Sequence, residues 1–133
     1  MSYEAWFTEA EKHVKRGERC AKQSDWRGAY GHFGTAVEFA LKAIYLRNHQ
    51  MKEMPADMRS AATHDLNYMV VKAGLQQSVL AMPRHLRRNW AVVRDWDQGR
   101  RYPNEPFPVK DGKDLRKALL DKPNGVWLWL RNV

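Results

Sequence analysis

Phe33, Val37, Ala40 and Ile44 follow one another at steps of four, three and four. That spacing puts them on one stripe and commits the middle of the chain to an α-helix. Ser24 and Asp25 open the segment as turn and cap residues, and no breaker interrupts it before Asn48. A helix over 26–48 is long for a globular domain, so it reads as the spine of a helical bundle. Upstream, Trp6, Ala10, Val14 and Ala21 stay near one face and predict a first helix over 2–23.

Downstream, residues 49–60 are polar, rich in Met and broken at Pro55, which makes them a connection. Thr63 is the expected cap of a third helix, with Leu66, Met69, Val70 and Ala73 on one face and Gly74 as its stop. Pro83 suits the first turn of a fourth helix, predicted to run to about Arg101. Pro103, Pro106 and Pro108 forbid its continuation. A fifth helix is expected over 111–120, then a turn over 121–125. Residues 126–130 form an apolar tail, either a last helical turn or a docked extended piece. No segment shows the alternation of a strand. The expected fold is all-α, an up-and-down bundle of four to five helices forming one domain over 1–133.

Gly28, Gly31 and Gly34 lie three apart on the second helix. A phosphate-binding glycine fingerprint needs a strand before it, and none precedes. Glycine costs helix stability, so this row points to close approach by another helix or subunit.

At 133 residues a single domain can bury roughly two-thirds of its unfolded surface. Cys20 is the only cysteine, so no internal disulfide forms; a small buried side chain in a reducing compartment is the simplest reading. No apolar run approaches the roughly 20 residues that span a bilayer. The first residues lack the basic-then-apolar layout of a signal peptide. The expectation is a cytoplasmic protein with no membrane contact. The formal charge of +8 favours polyanionic partners: nucleic acid, acidic protein or nucleotide phosphate. A merely soluble surface would give the same sum.

Arg87, Arg94 and Arg101 are spaced by seven on the predicted fourth helix, with Gln98 on their side and Leu86, Trp90 and Val93 opposite. Such a stripe is either a solvated face or a place where guanidinium groups clasp phosphates. Trp96 and Tyr102 beside it could stack on bases or anchor the core. Glu38 and Lys42, four apart, read as an intrahelical ion pair. The five histidines show no metal-ligand spacing and have no cysteine partners, so neither a metal nor a cofactor is expected.

Residues 36–43 (Ala-Val-Glu-Phe-Ala-Leu-Lys-Ala), His64-Asp65-Leu66 and Arg101-Tyr102-Pro103 occur in an order and spacing that resembles the HEPN domain. This is a helical bundle of toxin–antitoxin and defence systems, and the likeness spans roughly 5–105. The resemblance implies a homodimer and a role with nucleotides or RNA. Catalytic members carry an Arg, a polar residue, a few more positions and a His on the fourth helix. They cleave RNA without metal. Arg94-Asp95 matches the start of that pattern, but Gly99, Arg100 or Arg101 stands where the His would be, and no His follows His85. Arginine is a poor base, and metal-free cleavage of RNA calls for a group that titrates near neutrality.

The expected site is therefore a basic groove lined by Arg94, Asp95, Arg100, Arg101 and Tyr102, with His64 and Lys42 nearby. Arginines would hold phosphates, Asp95 would orient one of them, and Tyr102 would stack on the ligand or hydrogen-bond to it. The leading reading is a nucleotide- or RNA-binding module without the Arg…His ribonuclease motif. One alternative is a divergent metal-independent endoribonuclease or toxin using Arg94 with Tyr102 or His64. The other is a non-catalytic adaptor or antitoxin-type protein, partnered for instance with a nucleotidyltransferase.

Overall fold

Two capped helices in an antiparallel pair form the frame. The computed structural model describes residues 1–101 and 105–133, Arg101 by its backbone alone. Helix α1 spans Tyr3–Lys22, and the Ser2 hydroxyl accepts the Ala5 N–H at its start. Ser24 turns the chain with a positive φ of 60°. Asp25 then caps α2, Trp26–Asn48, accepting the Gly28 N–H. Trp6 meets Phe39 while His13 meets His32, so the two helices run in opposite directions.

The second helix is the spine: 14 of its 23 residues are buried, which leaves it almost no solvent face. It packs against α1 and five later elements, and its many Ala and Gly residues let neighbours come close on several sides. Phe33, Leu41 and Ile44 are fully buried from it, beside Leu66, Met69, Leu115, Leu119 and Leu130. Burying each such side chain stabilises the fold by about 1.5–3 kcal/mol.

The connection after α2 contains 3-10 turns at Ala56–Arg59 and Ala61–His64, and it buries Met54 and Met58 in the core. Helix α3 spans Leu66–Lys72. Its cap is Asp65, whose carboxylate accepts the Asn67 and Tyr68 N–H groups. The expected cap, Thr63, is instead buried, and its hydroxyl donates to the Ser60 carbonyl. Gly74 ends the segment at a φ of 75°, as its position suggested. A short helix α4, Gln76–Leu80, follows, and α5 spans Arg84–Arg94 with Pro83 just before it.

The fourth predicted helix was to reach Arg101; α5 stops at Arg94, and a separate 3-10 turn covers Gln98–Arg101. Tertiary contacts end it. The Trp96 indole lies flat in the notch of Gly34, where an added Cβ would sit 1.9 Å from the ring. Its Nε1–H donates to the Tyr30 carbonyl at 3.1 Å, and the Asp97 N–H donates to the Tyr30 hydroxyl at 2.8 Å. The close approach expected of the glycine row thus occurs at Gly34, and what approaches is an indole from the turn after α5. Helix α6 spans Val109–Leu120, and the tail forms a final helix α7, Val126–Asn132. The fold is the expected all-helical bundle, with no strand among the described residues; their seven α-helices comprise four long ones and three short ones, α3, α4 and α7.

Candidate nucleic-acid interface

Helix α5 buries Leu86, Trp90 and Val93 on one side and carries Arg84, Arg87, Arg88 and Arg94 on the other. Those four arginines line a groove of about 580 Å³ between α4 and α5, whose apolar surface comes from Val79, Leu80, Trp90 and Ala91. No carboxylate lines it. Arg87 Nη2 donates to the carbonyls of Leu80 and Met82, both at 3.2 Å, and so pins the end of α4 against α5. Arg84, Arg88 and Arg94 are exposed and make no ion pair among the described residues. Leu80 is 68% exposed beside them. Guanidinium forks over an apolar floor suit a ligand that alternates phosphates with flat bases.

The structure distributes the other expected site residues over separate places. Arg100 Nη2 meets Asp111 Oδ2 at 2.6 Å, and its guanidinium stacks 5.4 Å from the Tyr30 ring centroid and 4.9 Å from that of Phe107. The hydrogen bond to Asp111 pushes the Arg100 guanidinium above its ordinary range. Asp95 is the C-cap of α5 and lines a hollow with Arg100, but it makes no ion pair with an arginine among the described residues. The acid that holds an arginine here is Asp111. Arg101 is described by its backbone alone, and Tyr102 lies outside the described residues.

Lys42 and His64 come together on Glu38. Lys42 Nζ meets Glu38 Oε2 at 2.8 Å, and His64 Nδ1 meets Oε1 at 2.6 Å. Glu38 and Lys42 are buried, whereas the His64 side chain is 34% exposed. The ammonium of Lys42 also lies 5.4 Å from the Trp6 ring and 5.7 Å from Phe39. The intrahelical ion pair expected from the sequence is present, and it extends to His64, which no local spacing announces. With Nδ1 committed to the carboxylate, the imidazole is held in one orientation. Tyr30, which carries Arg100, and Glu38, which carries His64, are eight residues apart on α2. At 1.5 Å per residue that is about 12 Å along the axis, and the two hollows that Arg100 lines do not include His64.

Arg84 and Arg88 join the groove without having been expected as site residues. Their signal is present in the sequence: they stand four apart and fall on the side of α5 opposite Leu86 and Trp90. Among the described residues, no group of three or more His, Cys, Asp or Glu could hold a metal ion. No helix among them is long and apolar enough to cross a membrane. A family model described as the HEPN domain matches residues 3–132. No curated protein and no solved structure matches the chain.

Proposed function

The chain belongs to the HEPN domain family, and from that premise we propose that it is an RNA- or nucleotide-binding module acting through the arginine groove of α5. The observation that carries this reading is the set of four arginines over an apolar floor with no carboxylate among the lining residues. Arg84, Arg88 and Arg94 hold phosphates; Arg87, tied to the end of α4, keeps the groove open. Leu80 and Val79 offer bases an apolar contact. The module binds without cutting, because no His follows Arg94 on the helix that carries it. The same reading has it cytoplasmic and homodimeric, so its mass in solution is expected at twice the 15.6 kDa of the chain.

Anisotropy of a labelled single-stranded RNA tests the groove. Arg84→Glu with Arg88→Glu should weaken binding at least tenfold. It should also flatten the salt dependence by about 0.7 in log–log slope for each phosphate that is no longer neutralised. Unchanged affinity in that variant would end the proposal.

A metal-independent ribonuclease is the second reading, favoured by the imidazole that Glu38 orients. It requires cleavage of RNA in EDTA that disappears in His64→Ala.

A further inference from the structure

Helix α7 turns Val126 and Leu130 into the core and leaves Leu128 43% exposed, with Trp127 half-buried beside it. Leu128 and Trp127 line a hollow of about 550 Å³ between α1, α6 and α7, together with Val14, Leu119 and Leu120. An apolar hollow rimmed by charged side chains marks a place where something docks. The turn after α6 is already fixed on one side of it. There the Asn89 amide donates to the Asn124 carbonyl at 2.8 Å, and the Gly125 N–H donates to the Asp121 carbonyl at 2.8 Å. A partner that docks here therefore has little chain to order.

The charges around the hollow decide the partner. Arg116 holds both oxygens of Glu18, Nε at 2.5 Å and Nη2 at 2.9 Å, and Arg131 stands 4.0 Å from Glu11. Asp121 and Lys122 are exposed, and their side chains make no bond among the described residues. Three carboxylates thus stand with three cations, and the patch is neutral on a chain whose formal charge is +8. A two-fold contact sets a patch against its own copy, so a patch of a single sign repels itself. That rule bars the α5 groove, with its four arginines and no carboxylate, and it admits this face. A polyanion finds no net positive charge here to follow. A two-fold axis also brings Asp121 of each copy to Lys122 of the other, which gives both unpaired charges a partner at once. We propose that a second copy of this chain docks on this face, with Leu128 of each seated in the other's hollow and Asp121 paired with Lys122 across the axis. This contact rests on the homodimer read above and supplies its surface, which shares no residue with the α5 groove.

Sedimentation equilibrium of the full chain tests this directly. The wild type should sediment at twice 15.6 kDa. Leu128→Asp should weaken the dimer at least about tenfold. Asp121→Lys and Lys122→Asp, each alone, set like charges against each other across the axis and should weaken it about tenfold. Mixed in equal amounts, those two charge variants should form a heterodimer close to wild-type strength, which no loss of folding can imitate. All three changes fall on exposed side chains, so the helical dichroism should remain that of the wild type. A dimer untouched by Leu128→Asp would overturn this face and leave the homodimer reading in place. So would charge variants that fail to recover on mixing. A wild type that sediments at 15.6 kDa would end both, and would give the hollow to a different protein or to a small apolar ligand.

Discussion

Glu38 has both carboxylate oxygens committed, one to Lys42 and one to His64, in a place that water barely reaches. Removing its charge leaves the buried Lys42 ammonium without compensation, which costs far more than the pair itself contributes. Glu38→Gln is therefore expected to lose about 3–5 kcal/mol in urea unfolding. Glu38→Gln with Lys42→Met should recover much of that loss. Cys20 and Tyr30 are affected in a different way. Burial raises both above their ordinary values, and for Cys20 the negative charge of Asp25 adds to it. A raised acid holds its proton more tightly when folded. Stability from these groups is full below their ordinary range and is lost as pH climbs through the folded values. The urea midpoint should be flat near neutrality and fall on the alkaline side. At pH 8, iodoacetamide should also alkylate Cys20 more slowly than it alkylates glutathione.

Among the elements, those set by local chemistry were legible in the sequence. Asp25, the turn before it and the apolar steps of α2 agree with one another, and the helix begins and ends where they place it. Gly74 stops α3 for the same local reason. The end of α5 was not legible. Residues 95–101 contain nothing that forbids a helix, and the chain leaves it because Tyr30, distant in sequence, offers a carbonyl and a hydroxyl to Trp96 and Asp97. Thr63 yields the cap of α3 to Asp65 through a shift of two residues, within the spread of helix boundaries. Gly34→Ala tests the element directly. Its methyl meets the indole, so Trp96 must move and give up its bond to Tyr30. A loss of about 1–3 kcal/mol is expected in urea unfolding, together with a changed near-ultraviolet dichroism from the displaced indole.

At the scale of the whole molecule, the surplus of eight positive charges is not spread evenly, since four arginines share one groove. Such clustering makes association with single-stranded RNA strongly salt-dependent. Raising salt from 50 to 200 mM should weaken wild-type binding by at least tenfold, as anisotropy reads it. The basic character of this surface could be read from composition and from the arginine spacing. Its partition could not, because sequence does not say at what height along α2 each later segment docks. Arg100 settles near Tyr30 and His64 near Glu38, whereas Arg94 lines the groove between α4 and α5. The His13–His32 contact left no local trace at all, since it depends on how two helices are phased. The Trp96 indole in the Gly34 notch also has a consequence for ancestry. A side chain at 34 and an indole at 96 exclude each other, so the two positions can drift only as a pair. Related chains that place a larger residue at the first should have surrendered the tryptophan at the second.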